Sequence, residues 1–305
     1  MSKKSQLQIG SRTVDVSNLD KIFYPQTGFT KGEVIDYYIK ISPVLLPHLQ
    51  DRPISLKRYP DGVDGFFFYE KQCPPSRPKW MKTTAVARKD GSVINYCVMN
   101  DLPALVWAAN MADLELHTFL HRAPQIETPT ALAFDLDPGP PADIVLCCQV
   151  GLWLKDFFAK LKLESFPKTS GSKGLQIFVP LNTRVTYEST KSFAREVAET
   201  LARELPETVV SKMQKNLRGG KIFVDWSQND EHKTTVCVYS LRAKAQPTVS
   251  TPLTWDEVAA TWKKKNAKRL TFEAADVLKR VKKMGDLFAP VLKLKQKLPA
   301  FKSLP

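Results

Sequence analysis

Long hydrophobic runs are missing from this 305-residue sequence, and so are cysteines spaced for a metal site. No uninterrupted apolar stretch approaches the roughly 18 residues that a membrane span requires, and the opening Met-Ser-Lys-Lys-Ser-Gln lacks the apolar core of a signal peptide. We therefore expect a cytoplasmic protein with no membrane contact. The five cysteines form no Cys-x-x-Cys pair, which argues against a disulfide scaffold and a zinc site, and we expect the adjacent Cys147 and Cys148 to pack as small hydrophobic residues.

Glycine is also scarce, and no internal repeat is present. The chain has 13 Gly against 22 Pro, and 10% of its residues are aromatic, a composition that predicts stiff loops and excludes a disordered chain. No period of about 20–50 residues recurs, which argues against a repeat architecture. A chain of this length buries a substantial core, in one large domain or in two packed lobes.

Positive charge is the main compositional excess. Lys and Arg number 45 against 31 Asp and Glu, which gives a net charge of +14 at pH 7. Residues 261–305 hold 13 Lys or Arg and 3 Asp or Glu, so most of the excess lies near the C-terminal end. Such an excess attracts polyanions such as nucleic acid, although Lys-rich helices are equally often solvated surfaces.

Hydrophobic periodicity predicts an α/β or α+β protein built on mixed sheets. Capping boxes at Thr30 and Thr254 mark two helix starts, and Asp101 and Asp143 are predicted caps of two more. The predicted helices cover residues 31–42, the segment after Asp101, 143–161, 190–204, the segment after Thr254, and 271–285. The predicted strands cover residues 54–58, 65–69, 131–136, 175–181, 221–225 and 235–239, with a strand–helix–strand order from residue 131 onward.

Two aspartates at the end of a predicted strand are the sharpest local feature. In Phe134-Asp-Leu-Asp-Pro-Gly139 the side chains alternate between faces, so Asp135 and Asp137 point the same way. Their carboxylates repel each other unless a cation lies between them, although an isolated Asp-x-Asp is more often a pair of solvated acids at a turn. Asp225 ends another predicted strand and offers a third carboxylate. Oxygen ligands without His or Cys favour magnesium or manganese, and such sites are typical of two-metal nucleotidyl transfer.

Other chemistry-bearing residues surround these acids in the sequence. The turn Lys168-Thr-Ser-Gly-Ser-Lys-Gly-Leu-Gln176 has the residues to cradle phosphates through backbone N–H groups, Ser170 and Lys173, but it is not a Walker loop and by itself is more often only a turn. His117 alone is more often a core or surface histidine. The run Phe66-Phe-Phe-Tyr69 is ordinarily a buried strand, but beside Lys57 it is also suited to stacking on bases.

Taken together, these stretches resemble the polymerase domain of bacterial and archaeal DNA ligase D, in the archaeo-eukaryotic primase superfamily. The resemblance covers nearly the whole chain in the family's order. It runs through Asn18-Leu-Asp-Lys21-Ile-Phe-Tyr-Pro25, Arg52-Pro53, Phe134-Asp-Leu-Asp137-Pro, the Thr-Ser-Gly-Ser-Lys-Gly loop, Val224-Asp225-Trp-Ser-Gln-Asn229, Tyr239-Ser-Leu-Arg242-Ala and Val249-Ser-Thr-Pro-Leu-Thr-Trp-Asp256.

The resemblance implies a primase-type core of two mixed β-sheets flanked by helices, with the active site in the cleft between them. It implies one domain over residues 1–305, with an N-terminal mixed lobe over 1–129 and a catalytic lobe over 130–305 that ends in basic helices. The implied activity is template-directed nucleotide addition at DNA ends and gaps in non-homologous end joining, with a preference for ribonucleotides. Two Mn²⁺ or Mg²⁺ ions are the implied cofactors.

The implied partners are DNA ends with gaps or overhangs and a downstream 5′-phosphate, ribo- and deoxyribonucleoside triphosphates, a DNA ligase and a Ku-type end-binding protein, at the nucleoid of a prokaryote. The resemblance also assigns residues to roles. These are Asp135, Asp137 and Asp225 as catalytic metal ligands; Ser170, Lys173, Gln176, His117, Arg242 and Lys57 around the nucleotide; Lys21 and Lys31 on a 5′-phosphate; and Phe68 and Tyr69 near the template.

One departure from the family concerns the nucleotide-binding loop. Where relatives commonly continue Gly-Leu-His, this chain has Gly174-Leu175-Gln176, so we expect a cationic contribution to be lost there. Two alternatives to a polymerase stay open, namely a catalytically inert module that binds DNA ends and a metal-dependent nuclease.

Overall fold

The computed structural model describes residues 4–88 and 90–299, which form two compact units. Within these residues, the first unit consists of the chain up to Pro124 together with Thr234–Ser250 and Phe272–Gly285. The second consists of Gln125–Lys233, Thr251–Thr271 and the chain from Asp286 onward. These units differ from the predicted lobes, 1–129 and 130–305, because two later segments return to the first unit.

The strands belong to two large sheets and two short hairpins. Their bounds are β1 Lys4–Ile9, β2 Arg12–Ser17, β3 Ile22–Tyr24, β4 Phe29–Thr30, β5 Pro53–Arg58, β6 Phe68–Glu70, β7 Lys82–Ala87, β8 Val93–Val98, β9 Asp113–Thr118, β10 Ala131–Pro138, β11 Phe166–Thr169, β12 Leu175–Pro180, β13 Val209–Val210, β14 Ile222–Asp225 and β15 Thr235–Val236.

Seven α-helices accompany the strands in the described part of the chain. They are α1 Lys31–Leu49, α2 Leu102–Asn110, α3 Ile144–Lys160, α4 Tyr187–Glu204, α5 Trp255–Lys264, α6 Ala274–Met284 and α7 Ala289–Lys293. Among these residues no helix is both long enough and apolar enough to cross a membrane.

The first unit contains a six-stranded sheet with the order β15-β9-β5-β8-β7, in which β6 also pairs with β5. Its strand pairs are antiparallel throughout. Helix α1 is tied to this sheet by buried tyrosines, because the Tyr38 hydroxyl donates to the Leu114 carbonyl over 2.7 Å. The Tyr37 hydroxyl likewise donates to the Tyr239 carbonyl over 2.8 Å. These bonds hold β9 and the segment after β15 in place.

The second unit contains a five-stranded sheet with the order β11-β12-β10-β14-β13. It is mixed, because β13 and β14 pair in parallel while the other pairs are antiparallel. Helix α3 packs on it with Gly151, where an added Cβ would lie 2.9 Å from Leu175. The Asn229 side chain bonds both the N–H and the carbonyl of Ala133, over 2.9 and 2.8 Å, which fixes the chain after β14 against β10.

Most of the predicted helices are confirmed, with shifted ends. The capping box of Thr30 and Glu33 starts α1, but the helix continues past Pro43 to Leu49. Ile41, Leu45 and Leu49 recur at helical spacing and are fully buried, so their burial outweighs the loss of a backbone hydrogen bond at proline. Helix α6 begins at Ala274 instead of residue 271, because the Phe272 carbonyl is paired with the Val249 N–H.

Two expectations need correction. The predicted strand over 235–239 ends at Val236, because Tyr239 takes a left-handed conformation with φ of 65° and turns the chain. A disulfide joins Cys73 and Cys97 with a Cα–Cα distance of 5.0 Å, although the cysteine spacing argued against disulfides. The Cys73 N–H donates to Asn95, a tertiary contact that brings the two cysteines together. Cys147 and Cys148 are free and buried, as predicted.

Candidate active site

Strand β10 places the predicted acids on one face of the second unit's sheet. Asp135 and Asp137 alternate with Phe134 and Leu136, which are fully buried. The neighbouring strand β14 pairs in a register that sets Asp225 directly opposite Asp135. Residues directly opposite each other across strands have side chains within about 5.5 Å at Cβ, so the sheet brings at least these two carboxylates together.

The same register extends over four strands. Asp135 is opposite Gln176 on β12, and Gln176 is opposite Lys168 on β11. Lys168, Gln176, Asp135 and Asp225 therefore form one cross-strand line, here called the polar row. The Lys168 ammonium donates to Gln176 Oε1 over 2.5 Å, and the Gln176 side chain is hydrogen-bonded to Asp135. Lys168 is fully buried.

The electrostatics of Asp135 favour a bound cation. Burial, followed by the charge of Asp137, raises the pKa of Asp135 well above its usual range; Gln176 and Lys168 lower it, and Asp225 raises it. The Asp135 Oδ1 atom is buried and has no hydrogen-bond partner. A divalent cation would remove both penalties, and oxygen donors suit Mg²⁺ and Mn²⁺.

Asp225 is oriented by the turn that follows it. Its Oδ1 accepts bonds from the N–H and hydroxyl of Ser227, and its Oδ2 accepts one from Gln228 Nε2 over 2.9 Å. Oδ2 thus keeps a lone pair for a cation. In residues 4–88 and 90–299, no three His, Cys, Asp or Glu side chains are grouped closely enough to hold a metal ion as they stand. The chemistry of the pair Asp135 and Asp137 fits an ion, and the register of β14 sets Asp225 opposite Asp135 without completing a group of three ligands.

The predicted phosphate loop is closed by its own hydrogen bonds. The Ser170 hydroxyl accepts from the N–H groups of Ser172 and Gly174, over 3.3 and 3.1 Å. The Thr169 hydroxyl accepts from the N–H of Gly171 over 3.3 Å. The expectation that this turn offers a row of open N–H groups to phosphate is therefore wrong for these three amides.

Lys173 lies where the loop meets the end of β10. Its ammonium donates to the Pro138 carbonyl over 3.1 Å, next to Asp137 in the chain. The loop approaches β10 so closely that a Cβ on Gly174 would lie 2.6 Å from the Leu136 carbonyl oxygen. Glycine is required at this position, and the contact holds a positive charge at the strand end that carries the acids.

In the first unit, several predicted nucleotide-binding residues converge on a residue that sequence reasoning missed. Glu115 is 1% exposed, and its Oε2 lies 3.1 Å from Lys57 Nζ and 3.0 Å from His117 Nε2. Its Oε1 lies 3.3 Å from Arg242 Nε and accepts the Ala243 N–H over 3.0 Å. The sequence signal was Leu114-Glu-Leu-His117, whose alternation puts Glu115 and His117 on one face.

The pKa values within this Glu115 cluster follow from burial and charge. Burial alone would raise the pKa of Glu115, but the hydrogen bond to His117 and the charges of Arg242 and Lys57 hold it well below its usual range. Burial lowers the pKa of His117, and the bond and charge of Glu115 oppose that effect. The carboxylate of Glu115 thus stays ionised in the centre of three basic side chains.

The aromatic run next to Lys57 is exposed. Phe66, Phe67 and Tyr69 are 73%, 47% and 52% exposed, and the Lys57 ammonium lies 4.8 Å from the Phe67 ring centre and 5.6 Å from that of Tyr69. Phe68 is half-buried under the guanidinium of Arg58, 5.2 Å from its ring centre. The exposed rings suit stacking on bases. Phe67, which stacks on Tyr59 with ring centres 5.2 Å apart, is more exposed than Phe68, the residue that the resemblance assigned to the template.

The structure modifies the predicted 5′-phosphate pocket. The Lys31 ammonium donates to the Ser17 carbonyl over 2.6 Å, and that of Lys21 to Asp61 over 2.8 Å. Burial, followed by the charge of Lys21, lowers the pKa of Lys31 to about 8. The N–H groups of Lys31 and Gly32 donate to chain carbonyls, so the start of α1 does not offer these two amides to an anion.

The chain is similar to characterised proteins over most of its length. A family model described as "LigD, primase-polymerase domain" matches residues 30–288. The multifunctional non-homologous end joining protein LigD of Mycolicibacterium smegmatis is 40% identical over 280 residues, which are 91% of this chain and 36% of that protein. The bifunctional LigD of Bacillus subtilis is 32% identical over 270 residues, or 88% of this chain and 42% of that protein. The chain thus spans less than half of the length of these relatives.

A solved structure shares the fold. It is described as the polymerase domain from Mycobacterium tuberculosis Ligase D in complex with DNA, and it superposes with a TM-score of 0.85 at 37% sequence identity. The superposition covers 92% of this chain and 98% of that one. The agreement confirms the predicted α/β fold class.

A first prediction concerns the Glu115 cluster. Replacing Glu115→Gln removes a negative charge that favours protonated His117, so the pKa of His117, already lowered by burial, should fall further. NMR titration of the His117 ring measures it. Glu70→Gln is the control, because Glu70 pairs with Arg58 in the same sheet and its loss should leave His117 unchanged. An unchanged or higher His117 pKa in Glu115→Gln would contradict the prediction.

Proposed function

The chain belongs to the LigD primase-polymerase domain family, and from that premise we propose that it is a DNA-directed nucleotidyltransferase that fills gaps and extends ends during non-homologous end joining. The observation that carries the proposal is the pair Asp135 and Asp137, with the buried Oδ1 of Asp135 lacking a hydrogen-bond partner. An inert DNA-binding module has no need for such a costly arrangement of carboxylates.

Asp135, Asp137 and Asp225 would hold two Mn²⁺ or Mg²⁺ ions. Such ions, when bound, favour ionisation of a primer 3′-hydroxyl and stabilise charge on the leaving pyrophosphate. Lys173 supplies a positive charge to the triphosphate from the end of β10. Ser170 lies in the same loop as Lys173, and Gln176 lies next to Asp135 in the polar row. In this proposal each of these side chains binds or orients a metal ion or the nucleotide, and none forms a covalent bond with the substrate.

The first unit contributes contacts of a different kind. Lys57, His117 and Arg242, gathered by Glu115, are suited to an anionic nucleotide. The exposed rings of Phe67 and Tyr69 offer faces on which template bases stack, a contact worth about 1–3 kcal/mol per base. Phe68, predicted for the same role, stacks on Phe66 with ring centres 6.0 Å apart.

The proposed partners follow from the family and the charge. The M. tuberculosis relative was solved in complex with DNA, and the net charge of +14 suits a polyanion. Gapped or overhanging DNA ends, with ribo- and deoxyribonucleoside triphosphates, are the proposed substrates. Because this chain spans only part of its relatives, strand sealing by a DNA ligase and end binding by a Ku-type protein are proposed as partner activities.

The central prediction concerns the three acids. In an assay with gapped DNA, labelled primer and Mn²⁺, Asp135→Ala, Asp137→Ala and Asp225→Ala should each abolish extension while DNA binding persists, because an ion ligand is lost and the basic surface is kept. Asp156→Ala is the matched control, since Asp156 is an exposed acid on α3 and its loss should not change extension.

The wild-type outcome separates the three candidate functions. A longer primer supports the polymerase, an unchanged primer an inert DNA-binding module, and a shorter primer a nuclease. Near-normal extension by any one of the three acid variants would remove that acid from the site.

Sugar selection provides a further prediction. Ser170 Oγ accepts two loop N–H groups, and a serine hydroxyl that accepts is also able to donate one hydrogen bond, for which a ribose 2′-hydroxyl is a suitable acceptor. A deoxynucleotide would lack that hydrogen bond, at a cost in binding free energy of about 1–3 kcal/mol. The wild type should therefore prefer ribonucleotides, and Ser170→Ala should reduce the preference. Ser172→Ala, an exposed serine of the same loop, is the control. Equal wild-type efficiency with both sugars would rule the idea out.

End recognition is predicted to depend on Lys21 and Lys31. DNA with a downstream 5′-phosphate should bind more tightly than its 5′-hydroxyl counterpart, measured at one salt concentration, and Lys21→Ala with Lys31→Ala should erase the difference. Lys31 carries its proton below its pKa of about 8, so the preference should be present at neutral pH and decline as the pH rises above that value. Equal affinity of the wild type for both ends would leave the lysines as structural residues.

A further inference from the structure

The polar row contains a buried lysine that none of the roles proposed above uses. Lys168 is fully buried, and its ammonium is bonded to Gln176 Oε1. It also lies 5.7 Å from the ring centre of Phe178. Burying an ammonium is costly unless nearby groups compensate for it. The carboxylate of Asp135, one strand beyond Gln176, interacts favourably with its charge.

Lys168 determines which way round the Gln176 amide sits. An ammonium group only donates hydrogen bonds, so it takes the amide oxygen and leaves the NH₂ group for the opposite neighbour in the row, Asp135. The reverse orientation would set the amide oxygen against a carboxylate, two acceptors facing each other, and the NH₂ group against an ammonium. Lys168 therefore excludes it.

The fixed amide in turn orients Asp135. Because Asp135 Oδ1 has no hydrogen-bond partner, the bond from Gln176 falls on the other carboxylate oxygen. One oxygen of Asp135 is thus held by the row, and the other is left as a ligand. We propose that Lys168 and Gln176 act together as a positioning pair that aims Asp135 Oδ1 at a divalent cation.

This inference rests on the proposed function, since the cation is the one that nucleotidyl transfer requires. It differs from a purely structural role for Lys168, which would affect folding but not the affinity for a metal ion. Groups that orient a metal ligand typically change metal affinity about 10–100-fold when removed, which makes ion binding the discriminating measurement.

The test measures Mn²⁺ binding to the whole chain in the absence of nucleotide and DNA. Electron paramagnetic resonance monitors the binding. Lys168→Met and Gln176→Leu should each weaken Mn²⁺ binding by about 10-fold. The double variant should bind no more weakly than either single variant, because the two residues act as one unit. Circular dichroism and thermal unfolding establish that each variant is folded.

Lys221→Met is the matched control. It removes a lysine from the same unit, next to β14, whose ammonium donates to the Pro206 carbonyl and takes no part in the polar row. Its Mn²⁺ affinity should equal that of the wild type, which separates the positioning effect from the loss of one positive charge.

A folded Lys168→Met variant that keeps the wild-type Mn²⁺ affinity would overturn the proposal. A double variant whose fold-loss of Mn²⁺ affinity equals the product of the two single-variant losses would also overturn it. Should Lys168→Met not fold, unchanged affinity in Gln176→Leu has the same force. A wild type that extends primers while both variants keep full Mn²⁺ affinity refutes the positioning pair alone. A wild type that binds Mn²⁺ with the expected variant losses but never extends primers refutes the polymerase function alone, and one that binds no Mn²⁺ refutes both.

Discussion

The hydrogen-bond register of β10 with its two neighbours is the constraint on which the second unit's site depends. It sets Asp135 opposite Gln176 on one side and opposite Asp225 on the other. A slip of one residue would move the acids to the face where Phe134 and Leu136 are buried, so burial of the apolar residues holds the register. Burial of Phe134 and Leu136 therefore keeps carboxylates together that repel each other, and the negative charge concentrated there would favour the divalent cation proposed above.

The first unit shows the opposite electrostatic arrangement. There a single buried carboxylate, Glu115, is surrounded by Lys57, His117 and Arg242. Its charge is already compensated, so it needs no metal ion, and the two positive charges of Lys57 and Arg242 exceed its single negative charge even when His117 is neutral. The second unit is thus suited to bind a cation, and the first unit is suited to bind an anion.

Local patterns predicted the elements and the two clustered acids, but not the residues that orient them. Alternation over 131–137 was sufficient to place Asp135 and Asp137 on one face, and capping boxes located the starts of α1 and α5. Lys168 was missed because its importance comes from Gln176 across a strand pair, and a lysine beside a loop is ordinarily exposed. Glu115 was missed because its partners include Arg242, far along the chain. The course of α1 past Pro43 was not predictable either, because it depends on tertiary burial.

The polar row explains what the glutamine at position 176 does in place of the histidine common in relatives. The resemblance suggested that glutamine in place of the histidine common in relatives removes a positive charge. The structure places the ammonium of Lys168 on the far side of the amide, so a charge is still present one residue further along the row. A histidine ring combines a donor and a titratable charge in one side chain, whereas here the amide donates and the lysine carries the charge. Because Lys168 is buried, its charge acts on the carboxylates beside it and not on phosphates in solvent. A protonated imidazole at position 176 would face that ammonium as a like charge, whereas the neutral amide of Gln176 accepts from Lys168 and donates to Asp135, so glutamine at 176 and lysine at 168 are compatible as a pair.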